Sequence, residues 1–295
     1  MSDDGRVRRL VAQFSGSGEN AAIWNAFALL LPTEQFLNMG YSPWYLPHAV
    51  GSSQRRLGQY LGRRVALELG YSAGAQLLDV GCGRGGPTVD LVRQFGFDVT
   101  GVDLVPHNVT LARQNAREAG VDADFCVGDA RDLPVESDAV DACVVVDAAQ
   151  YVTEMDALLR ELQRVTRPGG VVVVSDLARR DSTGEETDSA DAVARFADAW
   201  DMATPRPLAA LRDDARAAGL ESLDVTDITQ HSVGRFDFWT GLYLAAESTP
   251  LSSLARPLLA RAGVDLDAVT RQVQATHPAL PQLRHVVLTG RVPRE

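Results

Sequence analysis

Leu77-Leu78-Asp79-Val80-Gly81-Cys82-Gly83-Arg84-Gly85-Gly86 is the stretch on which the reading of this chain turns. Residues of strand character run into a cluster of glycines, and Pro87-Thr88-Val89-Asp90-Leu91 then opens a helical segment. Glycine is needed where the backbone takes dihedrals that a Cβ forbids, and bare backbone at a helix start lets a ligand lie against its N–H groups. A glycine loop alone names no ligand. Here the loop follows a strand, a second strand ends in an acid at Asp103, and a third leads into Gly128-Asp129-Ala130.

Working outward, short apolar runs alternate with amphipathic segments of helix length, the rhythm of βα units on a parallel sheet. Strands are expected near Gln76 to Val80, Asp98 to Asp103, Ala123 to Gly128, Val140 to Asp147 and Gly170 to Asp176. Helices are expected over Gly86 to Phe95, Val105 to Ala119 and Glu154 to Arg167, the last stopped by Pro168-Gly169-Gly170. The unbroken β-branched run Val171 to Val174 predicts a strand covered on both faces. Beyond this core, Arg6 to Phe14, Asn20 to Leu31 and Ser53 to Gly70 read as helices. Residues 179–192 read as a polar, mobile loop before a helix over Ala192 to Trp200. A helix over Pro207 to Ala218 and strands over Leu223 to Ile228 and Val286 to Val292 complete the pattern. The expected organisation is an N-terminal helical lid (1–70), a ligand-binding core (71–178), a lid insertion (179–204), a core continuation (205–229), a helical cap insertion (230–284) and a final core strand (285–295).

Composition narrows the function. The 295 residues contain no lysine, which removes Schiff-base and P-loop lysine chemistry, and the net charge of −11 repels phosphate backbones. Nucleic acid is therefore not an expected partner. Three cysteines, Cys82, Cys126 and Cys143, form no CxxC pair, which fits a reducing compartment and argues against a cysteine-held metal. The charged start Met1 to Leu10 lacks a signal peptide's apolar core, and the apolar run Ala26 to Leu31 stops at Pro32, so a cytoplasmic protein without a membrane segment is expected. A homo-oligomer is compatible with all of this.

A carboxylate at Asp103, on the tip of the second strand, suits both hydroxyls of a ribose and repels a 2′-phosphate. A nicotinamide dinucleotide gains nothing from an anion beside its pyrophosphate, yet Asp79 stands directly before the loop. An acid there suits a cationic ligand, and S-adenosylmethionine carries both an ammonium and a sulfonium. Asp129 can accept from an adenine amino group.

Through LLDVGCGRGG, GVDL, GDARDLP, VVVDAAQYV and RPGGVVVVSD, the stretch from about Gln76 to Asp176 resembles the class I S-adenosylmethionine-dependent methyltransferases. Asn38-Met39-Gly40-Tyr41 and the segment Leu211 to Thr229 resemble the branch of that family acting on tocopherols, sterols and bacterial natural products. The resemblance implies an α/β fold, a Rossmann-like, doubly wound sheet of seven strands whose last strand is antiparallel, with helical lid segments. It also implies that Asp79, Gly81 and Gly83 line the methionine part, Asp103 and Leu104 the ribose and adenine, and Asp129 and Ala130 the adenine, with Tyr41 reaching in from the lid. Where the family commonly carries a histidine after the fourth strand, this chain has Gln150-Tyr151.

Methyl transfer from a sulfonium is an in-line displacement that gains from orientation and exclusion of water. A hydroxyl acceptor also needs a base within hydrogen-bond reach. Of His48, His107, His231, His277 and His285, His48 and His231 follow lid-forming segments; His285 reads as the approach to the final strand. His231 is the candidate base, and Asp147 at the tip of the fourth strand is a candidate base or sulfonium-side contact. Trp44, His48, Gln150, Tyr151 and Trp239 are candidate walls of an apolar acceptor pocket. The expected activity is methylation of a small, largely apolar metabolite, oxygen ahead of carbon or nitrogen. The competing readings are a cofactor-retaining cyclase or ligand-binding scaffold on the same fold, and a nicotinamide-dependent oxidoreductase.

Overall fold

The computed structural model describes residues 3–15, 36–46, 52–180, 186–249, 256–257, 260–261 and 264–294. Its sheet comprises β1 (Gln76–Val80), β2 (Asp98–Asp103), β3 (Asp124–Val127), β4 (Val140–Val146), β5 (Thr166–Arg179), β6 (Glu221–Asp227) and β7 (Leu283–Arg291), in the spatial order β3-β2-β1-β4-β5-β7-β6. The first five strands pair in parallel, and β7 inserts antiparallel between β5 and β6. This is the seven-stranded Rossmann-like arrangement the sequence implied. Strand order reverses between β1 and β4, the place where open α/β sheets leave a crevice at their carboxyl edge.

Helices α1 (Asp3–Phe14), α2 (Ser52–Leu69), α3 (Gly86–Phe95), α4 (Pro106–Ala119), α5 (Met155–Val165), α6 (Glu186–Ala199), α7 (Leu208–Ala217), α8 (Val233–Glu247) and α9 (Leu266–Thr276) surround it. On one face α5 buries Met155, Leu158, Leu159, Leu162 and Val165, a three-and-four-residue stripe, in a cluster with Cys143, Val145, Val172 and Val174 of the sheet. On the other, Leu57, Leu61 and Val65 of α2 pack on Leu77, Val144, Val171 and Val173. Val171 to Val174 are thus covered on both faces, as their composition requires. Helix ends obey local chemistry: α3 and α4 carry proline in their first turn and stop at Gly96 (φ 71°) and Gly120 (φ 63°) in the left-handed conformation.

The departures from expectation have physical causes. β5 is longer than Gly170 to Asp176: Thr166 pairs with Val140 across a register shift, and antiparallel pairing to β7 carries the strand on to Arg179 opposite Leu283. Correspondingly α5 ends at Val165 rather than Arg167. α6 starts at Glu186, earlier than the Ala192 expected after a polar loop. His285, read as an approach to the last strand, lies inside β7 opposite Leu177 and is fully buried. α6, α8, α9 and the turn 277–282 share one apolar cluster built on Val193, Phe196, Trp200, Val233, Val273 and Leu280. The helix expected over Asn20 to Leu31 and the residue His48 lie outside the described residues.

Candidate active site

The turn after β1 carries three left-handed glycines, Gly81 (φ 73°), Gly83 (φ 55°) and Gly85 (φ 80°). The N–H groups of Gly81 and Cys82 both donate to Val102 O, at 2.7 and 3.0 Å, which seats the turn against β2. A Cβ built on Gly81 would stand 2.2 Å from the Ala148 Cβ, so only bare backbone fits between the glycine turn and the segment after β4. Behind the turn Asp79 is fully buried. Its Oδ2 accepts from Thr88 Oγ1 at 2.6 Å, and its Oδ1 has no partner. Burial pushes its carboxyl up to about 7, opposed by the Thr88 hydroxyl and helped by repulsion from Asp103.

Asp103 closes the other side of the turn. Its Oδ2 accepts from Gly83 N at 2.8 Å, and its Oδ1 from Val105 N at 2.9 Å and Asn108 Nδ2 at 3.1 Å. With two acceptor directions per oxygen, one on Oδ2 is open. Burial raises this carboxyl too, against the N–H donors that hold it. A cavity of about 1150 Å³, counting its open mouth, is lined by the turn, by Asp103, Leu104 and Val105, by Gly128 to Arg131 and by Val145 to Ala149. Val7, Leu10 and Phe14 of α1, with Leu37 and Tyr151, supply an apolar roof in which the Phe14 and Tyr151 rings meet edge to face at 5.2 Å.

Asp129 also lines this cavity, but Arg131 grips its carboxylate through Nε and Nη2 (2.7 Å to Oδ2) and reaches on to Glu154 at 2.6 Å. The Arg131 hydrogen bond holds the Asp129 carboxyl below the usual range. Asp147 takes a left-handed φ of 53°, and its carboxylate is a junction: Oδ1 receives Ser175 Oγ (2.5 Å) and His285 Nε2 (2.8 Å), and Oδ2 receives Met39 N (2.9 Å). Burial works to raise it, and the His285 ring, the Ser175 hydroxyl and the Met39 N–H outweigh that, leaving the carboxyl below its ordinary range.

Of the residues singled out on sequence, Gly81, Gly83, Asp103, Leu104, Asp129, Ala130, Asp147 and Tyr151 line the cavity, with Asp79 buried behind its turn. Tyr41 does not reach it; its ring stacks on Tyr60 at 4.9 Å and lies 5.1 Å from that of His231. His231 is fastened to the segment 39–42, its Nδ1 3.1 Å from Ser42 O. Trp44 and Trp239 are 80% and 47% exposed. Gln150 lines a second, neighbouring cavity of about 690 Å³, which shares Ala149, Val152 and Thr153 with the first and contains Asp176, Thr204 and Arg206.

Two groups escaped the sequence reading. Asp176 is buried near the top of β5, and burial pushes its carboxyl up to about 7, with Asp147 adding repulsion and Leu177 N opposing it. An acid ending the run Val171 to Ser175 is the same strand-tip signal that identified Asp103. His285 is a polar residue among Val286, Val287 and Leu288, and a buried ring demands partners. Among the described residues no cluster suited to a metal occurs, and no helix is long and apolar enough to cross a membrane.

This sheet, with its glycine turn and strand-tip acids at the switch point, has the layout of a Rossmann-like fold with a cavity at its carboxyl edge. Residues 78–174, a third of the chain, match the family model described as a methyltransferase domain, and the chain is an S-adenosylmethionine-dependent methyltransferase of the small-molecule type. It is similar to Methyltransferase GfsG of Streptomyces halstedii, 28% identical over 261 residues that cover 87% of each chain. A malonyl-acyl-carrier-protein O-methyltransferase of Serratia marcescens is 39% identical over 131 residues, 44% of this chain and 48% of that one, so the match spans about half that relative's length. The crystal structure of the cyclase SpnF shares the fold at a TM-score of 0.67, with 23% identity over 94% of this chain and 97% of that one.

The cofactor of this enzyme is S-adenosylmethionine. The residues present suit it: two buried carboxyls raised by burial, one with an orphaned oxygen, favour a cationic ligand, and the bare Gly81 backbone and the open acceptor direction on Asp103 suit a close-lying, hydroxyl-bearing one.

Proposed function

We propose that the enzyme methylates a hydroxyl oxygen of a small, largely apolar metabolite in the cytoplasm, and that Asp176 takes the proton released from that hydroxyl. Bound S-adenosylmethionine supplies the electrophilic methyl group. Gly81 and Gly83 accept the methionine part against bare backbone, with Asp79 behind them balancing its positive charge. Asp103 receives one ribose hydroxyl on its open Oδ2 direction, one fewer than the pair inferred from sequence, because Gly83, Val105 and Asn108 already occupy the rest. Leu104, Asp129 and Ala130 flank the adenine, and Arg131 holds Asp129 in place for it. The roof from Leu10, Phe14 and Tyr151 excludes water.

The observation that carries the preference for oxygen is Asp176. A carboxyl buried beside the first cavity, with its proton affinity near neutrality, is matched to removing a hydroxyl proton as the oxygen attacks, whereas a neutral amine or an electron-rich double bond attacks first and releases its proton afterwards. Asp176 thereby takes the role that sequence alone gave to His231, and the Asp147 carboxylate is committed to binding its neighbours. The direct experiment is incubation with labelled cofactor and a panel of phenolic, alcoholic, amine and carbon acceptors. Labelled methyl ethers with matching S-adenosylhomocysteine support the reading. Carbon- or nitrogen-methylated products overturn it, and an altered acceptor with unconsumed cofactor reveals the cyclase alternative instead.

Asp103→Ala removes the acceptor for the ribose and three internal hydrogen bonds at once. Its dissociation constant for S-adenosylhomocysteine is expected to rise more than about tenfold by calorimetry, the equivalent of about 1.5–3 kcal/mol. An unchanged constant would put the ribose elsewhere.

A further inference from the structure

His285 reaches neither cavity, yet it stands at the centre of the contacts that shape the first one. Its side chain is fully buried, with Nε2 2.8 Å from Asp147 Oδ1 and Nδ1 2.8 Å from Ser232 Oγ. Ser232 Oγ donates to Ile228 O at 3.1 Å, and the His285 N–H donates to Thr229 Oγ1 at 3.0 Å, so the ring is fixed from the turn 229–232. A carboxylate oxygen only accepts; Nε2 therefore carries the proton shared with Asp147. Asp147 in turn is a non-glycine residue in the left-handed region, a conformation that persists only where surrounding contacts over-determine it. Those contacts are His285, Ser175 and Met39 N.

The consequence lies one residue on. Ala148 follows Asp147 directly, and its Cβ is the group against which Gly81 is pressed. The carboxylate also holds Met39 N, which begins the strap that continues through Gly40 to Ser42. Rotating Asp147 out of its left-handed state would move the cavity wall at 147–149 and release the strap together.

We propose that His285 is a positioning residue for the cofactor site: by holding the Asp147 carboxylate it locks the wall at Asp147 to Ala149 against the glycine turn and ties the Met39 strap to the sheet edge. This rests on the first cavity being the cofactor site. The contacts Ser232–His285–Asp147 act as a unit, in which loss of any link loosens cofactor binding although His285 itself never touches the cofactor.

The test is the dissociation constant for S-adenosylhomocysteine, measured by calorimetry at a temperature where circular dichroism shows each variant folded. His285→Leu, which keeps the volume and loses the donor, is expected to weaken binding about tenfold, and His285→Gln, which restores an N–H toward Asp147, to recover to within about threefold of wild type. Asp147→Asn reverses the polarity offered to Met39 N or to His285 and is expected to weaken binding by a similar factor; combined with His285→Leu the effects should fall well short of the product, because both variants break one contact. If His285→Leu does not fold, Ser232→Ala leaves the ring in place without its Nδ1 partner and should weaken binding by about threefold or more. A folded His285→Leu or Ser232→Ala protein that binds as tightly as wild type, or strictly multiplicative effects in the double variant, overturns the positioning role. Failure of the wild type itself to bind S-adenosylhomocysteine would instead overturn the assignment of the cavity.

Discussion

Replacing Gly81 by alanine is expected to raise the dissociation constant for S-adenosylhomocysteine by about 100-fold or more while leaving the protein folded. Two independent penalties meet at this position. Its φ of 73° lies in the left-handed region, where a Cβ costs about 1 kcal/mol. The added methyl would also stand 2.2 Å from the Ala148 Cβ, a separation that real atoms do not reach, so the turn or the wall at 147–149 must shift. Both form the cavity, so the displacement falls on the ligand rather than on the core. The two penalties separate experimentally. Gly120 has a comparable φ of 63° and nothing within 4 Å of a built Cβ, so Gly120→Ala should cost about 1 kcal/mol of stability and leave cofactor binding unchanged. Ala148→Gly in the Gly81→Ala background removes the colliding methyl and should restore most of the affinity. Calorimetric binding by Gly81→Ala within about threefold of wild type would mean that the turn is not the ligand's seat.

The separation between what was legible in the sequence and what was not follows the range of the interactions. Helix ends and strand cores are written locally: Gly96 and Gly120 stop α3 and α4, and Val171 to Val174 announce a strand buried on both faces. The glycine turn and Asp103 are likewise local, since each sits at a strand tip within a βα unit. The long β5 was hidden because its extension depends on pairing with β7, more than a hundred residues later, and on a register shift at Val140 and Ala142. The same distance hides His285, whose partner Asp147 lies 138 residues away. The resemblance implies a cofactor contact for Tyr41, and His231 reads as a candidate base because it follows a lid-forming segment; the fold turns both rings against each other, with Tyr41 also on Tyr60. Nothing in the spacing of residues encodes that orientation. Asp147 is the instructive case, since a strand-tip acid signalled a site, yet only the folded chain reveals that its carboxylate is consumed by Ser175, His285 and Met39 and that its backbone forms the wall.

Asp176→Asn is expected to lower the rate of methyl transfer by about 100-fold or more while changing the affinity for S-adenosylhomocysteine little, because the side chain lies in the second cavity and lines none of the first. In the wild type the rate should climb with pH toward a plateau above about 7, where burial has placed the Asp176 carboxyl, and the variant should lose that limb. Stability supplies a second readout with the opposite sign. A carboxyl whose folded-state proton affinity is raised above its unfolded value stabilises the fold fully below the unfolded pKa of about 3.8, and that contribution is lost as pH rises toward about 7. Wild-type Asp176 is therefore unfavourable to the fold at a pH of about 8 and far less so at about 5. Asparagine does not titrate, so its advantage in chemical denaturation should shrink by roughly 2–3 kcal/mol between those two values. Asp79, also raised to about 7, shifts both proteins alike and cancels in the comparison. The two measurements together discriminate the base from a merely buried acid: a stability difference that follows this pH course, with a catalytic rate untouched by the substitution, would leave Asp176 as a strained core carboxyl and return the proton transfer to solvent.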